Sequence, residues 1–200
     1  MEAAVSGAFF IYWRWIMKLN LKNIRLIKIF VVIFIMFLTF AAGCGNSWHE
    51  YSNANFKMKA QFPVKPSESS KMTNKMPFGN IDTYIIVTEK DGIKYEISYT
   101  EFPANFKGFV PFSKPEKILS DLTNMIIKVS LKANLIEKKD VTVDGVNGNE
   151  IKMELNDGKY GAGRIFFNDN RAYVVVVKTT KELIDSENVK KFVNSFGFIK

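Results

Sequence analysis

Residues 83–99 read TYIIVTEKDGIKYEISY. Two runs rich in β-branched and aromatic residues, Thr83 to Thr88 and Ile93 to Tyr99, are joined across Glu89-Lys90-Asp91-Gly92. Asp-Gly between such runs is a strong hairpin signal. In the second run Ile93, Tyr95, Ile97 and Tyr99 share one face, the period of two that a half-buried strand requires. The chain around this hairpin is therefore expected to build antiparallel sheet.

The same grammar repeats toward the C-terminus. Val141-Thr142-Val143 leads through Asp144-Gly145 and Asn147-Gly148 into Glu150 to Leu155, and Asn156-Asp157-Gly158 turns into Gly163 to Phe167. After Asn168-Asp169-Asn170, Tyr173 to Val177 is continuously apolar, as a central strand covered on both faces should be. Gly158 to Gly163 could pass for a phosphate loop. It lacks the Gly-Lys-Ser/Thr ending and leads into a strand, so it reads as a hairpin turn.

Between the hairpin and these strands the period changes. Ser113-Lys114-Pro115-Glu116 resembles a capping box, and Ile118, Leu119, Leu122, Met125, Ile126 and Val129 fall on one stripe. That spacing predicts an amphipathic helix from about Lys114 to Leu131. A second helix, from about Ser186 to Ser195, should turn Val189, Phe192, Val193 and Phe196 inward. Upstream of the hairpin, Phe56 to Phe62 alternates strictly and ends at Pro63, and a polar segment follows from Ser67 to Lys75. The fold expected is α+β: a mainly antiparallel sheet of about six to seven strands flanked by two principal helices, an α/β/α sandwich, in one domain spanning residues 56–200.

The N-terminal part reads as an address. Lys18, Lys22, Arg25 and Lys28 precede Ile29 to Phe40, almost wholly apolar, then Ala41, Ala42, Gly43 and the single cysteine, Cys44. Positive end, short apolar core and small residues are the order of an export signal, here residues 1–43. Its rival is a retained membrane span. The 15 uncharged residues from Ile29 to Gly43 make only about 22 Å of helix against a hydrocarbon core of roughly 30 Å, so cleavage is the better reading. Met17 opens a complete signal of ordinary length, which makes it the expected start of translation. Residues 44–55 then form a polar tether.

Ala41-Ala42-Gly43-Cys44 resembles a bacterial lipoprotein signal, with Ala41 where that family usually carries Leu. The resemblance implies cleavage between Gly43 and Cys44, with fatty acids placed on the Cys44 sulfur and on its new amino group. It also implies a cell-envelope protein, lipid-anchored to a bacterial membrane and facing the periplasm or the exterior.

The charge and residue inventory exclude several chemistries. The first 43 residues hold five basic residues and one acidic residue, leaving 23 against 19, a net +4 well mixed along the mature chain. Nucleic-acid binding has little support in that distribution. With Cys44 consumed no thiol remains for a disulfide or a nucleophile. His49 is the single histidine and sits in the tether, with no second histidine or free cysteine to complete a zinc site or a rigid triad. Asp140, Asp144 and Glu150 lack calcium-loop spacing. No catalytic residue, metal or cofactor is expected.

Trp48, Tyr51, Phe56 and Phe62-Pro63 stand at the start of the mature chain, and Arg164, Asn170-Arg171-Ala172-Tyr173, Val189, Phe192, Ser195 and Phe196 toward its end. In these residues the mature chain resembles the PsbP-like family, whose fold is shared by a photosystem II extrinsic subunit and a Ran-binding nuclear import factor. The resemblance covers nearly all of residues 48–200 and implies a fold used for binding proteins. It carries no photosystem or Ran site onto named positions.

Two features could form a surface for a partner or ligand. Phe102, Phe106, Phe109 and Phe112, framed by Pro103 and Pro111, either cap the core above the first helix or present an exposed aromatic patch. Lys71 and Lys75, with Lys65, either solubilise the polar segment or meet an acidic partner or anionic headgroups. The expected function is a membrane-anchored, non-enzymatic scaffold that binds an unidentified envelope protein. The alternative is a carrier of a small apolar ligand with residues 102–112 as its lid.

Overall fold

The computed structural model describes residues 48–67, 69–76, 79–103 and 115–199. Its largest element is a seven-stranded sheet in the order β3-β4-β5-β9-β8-β7-β6. These strands are β3 Ser70–Met76, β4 Gly79–Lys90, β5 Ile93–Glu101, β6 Ala133–Val143, β7 Val146–Leu155, β8 Tyr160–Asn168 and β9 Arg171–Thr179. Every pairing is antiparallel. The hairpin expected from Asp91-Gly92 pairs Lys90 with Ile93, and both turn residues adopt positive φ. β9 occupies the middle of the sheet, which is why Tyr173 to Val177 can be apolar at every position. Tyr173, Val175 and Val177 enter one core while Val174 and Val176 enter the other.

The two faces are covered differently. Over one lies α1, Pro115–Met125, placing Leu122 against Ile151, Met153, Ile165, Val174 and Val176. Over the other lies a mixed layer. It combines α2, Glu187–Ser195, with a three-stranded sheet of β1 His49–Asn53, β2 Met58–Phe62 and β10 Gly197–Phe198. Met58, Ala60 and Phe62 from β2 and Val189, Phe192 and Val193 from α2 meet Tyr95, Ile97, Tyr99, Phe166 and Val175.

Several boundaries differ from the sequence reading for physical reasons. His49–Asn53 lies within the expected tether yet forms β1, because Tyr51 packs edge-on against Phe62 while its backbone pairs with β2. One anchoring ring per strand leaves little alternation to detect. Ser70–Met76, read as a polar segment, is the edge strand β3. An edge strand buries little, so its side chains can stay hydrophilic. β6 begins at Ala133 rather than Val141, again an edge strand with mostly exposed side chains.

Two polar clusters bind the layers together. Thr123 on α1, fully buried, donates its hydroxyl to Asn149 Oδ1 at 2.9 Å, and Asn149 Nδ2 donates to Asp140 Oδ1 at 2.8 Å, joining helix, β7 and β6. On the opposite face Arg164 of β8 donates through Nε to Glu150 at 2.8 Å and through Nη2 to Asn194 Oδ1 at 2.6 Å. Asn194 lies in the last turn of α2, where a cation also suits the helix dipole.

Candidate functional site

The helical stripe that begins with Ile118 and Leu122 should continue inward at Met125 and Val129. Instead α1 gives way at Ile126–Ser130 to a π-helical turn, closed by Leu131 N–H donating to Ile126 carbonyl oxygen at 2.9 Å. The wider turn slips the phase. Ile126 and Ile127 are both buried, and Val129 is turned out, 68% exposed, with Met125 43% exposed. The turn closes the C-terminal end of the helix and changes which of its residues face the sheet.

A second irregularity faces the first. β6 pairs Leu135 with Met153 and then Glu137 with Lys152, so Ile136 is the extra residue of a β-bulge. Ile136 is 56% exposed and Leu135 41%. Among the described residues the exposed large hydrophobic side chains are Met72, Met125, Val129, Leu135 and Ile136, and four of these five belong to the π turn, its approach and the bulge. The turn packs beside β6, so both irregularities shape one flank of the sheet. Two unrelated backbone devices turning apolar side chains toward solvent at neighbouring points argue for a surface kept for contact.

The flank has a charged rim. Lys128 and Lys132 are exposed, and Lys138 donates to Ser120 on α1 at 3.1 Å. Lys139 pairs with Glu137 at 2.8 Å, and this hydrogen-bonded contact holds the Glu137 carboxyl below its ordinary range and the lysine above its own. Asp140 is engaged with Asn149. Apolar centre and polar rim is the anatomy of a protein-binding patch.

The residues singled out from sequence lie elsewhere. Phe102 is half-buried, its ring 6.2 Å from Phe167 at the margin of the α1-side core. Lys71 on β3 forms an ion pair with Asp82 at 2.8 Å and lies over the Tyr84 ring, and the Asp82 hydrogen bond raises its pKa. Lys75 is exposed on the same strand, opposite Asn80. Lys71 faces the Tyr84 side of the sheet and Phe102 the α1 side, so the structure does not join them into one site. Phe106, Phe109 and Phe112, with Gly43 and Cys44, lie outside the described residues. His49 is exposed on β1, and among the described residues no group of three or more His, Cys, Asp or Glu could hold a metal ion.

Sequence reasoning passed over the flank, although a signal was present. Leu135-Ile136 is an adjacent apolar pair, which a clean strand alternation does not produce.

The architecture has a solved counterpart. Cyanobacterial PsbP from Synechocystis sp. PCC 6803 superposes with a TM-score of 0.52 at 12% identity, covering 78% of this chain and 95% of that one. The chain thus has a PsbP-like fold. A protein of unknown function from Pseudomonas aeruginosa, PA94, a putative regulator by its description, matches at a TM-score of 0.35 and 11% identity over 68% of this chain and 85% of its own. No protein-family model matches the sequence, and no curated protein matches it.

Proposed function

We propose that this chain is a fatty-acylated envelope lipoprotein, anchored through Cys44, whose PsbP-like domain recruits a protein partner through the flank of Met125, Val129, Leu135 and Ile136 and performs no catalysis. The observation that carries the reading is the exposure of Val129 in the π turn and of Leu135 and Ile136 at the β-bulge, together with Met125 at the end of α1. The Lys28 to Cys44 pattern supports the anchor. The domain's helix-and-sheet layering, taken as an α/β/α-type sandwich, supplies a rigid base for the flank.

The test has two arms. Cells fed an alkyne fatty acid should label the protein at Cys44, and Cys44→Ser should abolish the label and free the protein from membranes. Affinity capture from crosslinked cells should recover one envelope protein with the unaltered chain and not with Ile136→Asp. Label-free protein, or capture indifferent to Ile136→Asp, would contradict the corresponding half of the reading.

A further inference from the structure

The end of the main sheet that carries Trp48 is defined by register. Lys90 pairs with Ile93, Lys94 with Lys178, Tyr160 with Thr179, Glu154 with Tyr160, and Ala133 with Leu155. The β4–β5 turn, the β7–β8 turn, the end of β9 and the start of β6 therefore lie at one end. Trp48 is fixed there too. Its ring stands edge-on to Tyr95 at 6.1 Å, and Lys191 Nζ lies 4.7 Å from the ring centre. Tyr95 is the third residue of its strand, three positions from Gly92 of the turn.

Three residues separate Cys44 from Trp48, and an extended chain spans at most about 3.6 Å per step, so the backbone reach from Cys44 to Trp48 is at most roughly 14 Å. The opposite end of the sheet is out of that reach. Asn147, the second residue of β7, and Leu155, its last, are eight positions and about 26 Å apart at ~3.3 Å per residue. Resting on the reading that Cys44 is acylated, we infer that the sheet end bearing Trp48, the β4–β5 turn and the β7–β8 turn rests on the phospholipid headgroups.

Charge is not what holds it. At this end Lys94, Lys159, Lys178 and Lys181 alternate with Glu89, Asp157 and Glu182, Lys94 and Lys178 share Glu96 at 3.4 and 3.2 Å, and Lys159 stands 3.9 Å from Asp157. The short tether sets the orientation. β6 starts at this same end, so the Leu135–Ile136 bulge sits close to the bilayer and a partner meets it beside the membrane.

The experiment uses the full chain purified from membranes and reconstituted into vesicles of phosphatidylethanolamine and phosphatidylglycerol doped with headgroup-nitroxide lipid. A fluorophore is placed on Lys159→Cys in one sample and Asn147→Cys in another, with Cys44 blocked by its acyl groups and intact mass verifying them. The expected result is several-fold stronger quenching at position 159 than at 147, unchanged when phosphatidylglycerol is replaced by phosphatidylcholine. Equal quenching at both positions, or stronger quenching at 147, in a protein whose mass shows the acyl groups would overturn this orientation while leaving the anchor standing. A mass without acyl groups would remove the anchor and this inference together.

Discussion

The two faces of the seven-stranded sheet are built to different standards. The face under α2 and the small sheet is packed with rings: Phe62 meets Phe192 at 5.1 Å, Tyr95 meets Phe192 at 5.2 Å, Phe56 stacks on Tyr99 at 4.5 Å, and Phe166 stacks on Phe196 at 5.4 Å. The face under α1 is aliphatic. Leu122, Ile126 and Ile127 cover Ile151, Met153 and Val176, and beyond Ile127 Leu131 and Ala133 still pack inward while Val129, Leu135 and Ile136 turn outward. The aromatic face is therefore expected to carry the larger share of the fold's stability, and the flank, whose apolar residues are exposed, to contribute little to folding.

The comparison breaks first on the aromatic side. Phe192→Ala removes a fully buried ring that touches Phe62 and Tyr95, and should cost about 3–5 kcal/mol in urea unfolding. A loss under about 1 kcal/mol would mean the two faces are equal.

The same rings set an alkaline limit. Burial pushes the Tyr95 and Tyr99 hydroxyls up to about 12. An unfolded tyrosine ionises near 10, so between about pH 10 and 12 the unfolded chain releases protons that the folded chain keeps, and stability falls as pH rises through that window. Circular dichroism should show these groups costing nothing below it, and the double variant Tyr95→Phe, Tyr99→Phe should unfold at higher pH than the unaltered chain.

On the aliphatic side a buried polar contact ties helix to sheet. Thr123→Val strips the hydroxyl from buried Asn149 and should cost about 1–3 kcal/mol, measured by thermal unfolding, without touching partner capture. The smallest effect on folding belongs to the flank itself. Ile136→Asp should change stability by no more than about 0.5 kcal/mol, as an exposed substitution does, yet abolish capture. A large stability loss would make Ile136 a core residue and remove the contrast.

Much of this fold was legible. The Asp91-Gly92 hairpin, the continuous run in β9, the Asn156-Asp157-Gly158 turn and the inward stripe of α2 were each written in local pattern, because turn geometry and burial on two faces leave unambiguous residue choices. β1, β3 and the first half of β6 were not legible. Edge and small-sheet strands bury few side chains, so their pairing is decided by backbone hydrogen bonds that leave no hydrophobic period. The candidate flank was hidden for a sharper reason. One added residue in a helical turn and one in a strand shift the phase of everything near them, and periodicity assigns Val129 to the interior when it lies outside.

The most direct test of the central claim is photocrosslinking in intact cells from a reactive side chain placed at position 136, compared with one at Lys59 on the exposed surface of β2. The result anticipated is one discrete protein adduct from position 136, lost in Cys44→Ser, and none from position 59. Adducts from both positions alike, or from neither, would contradict it.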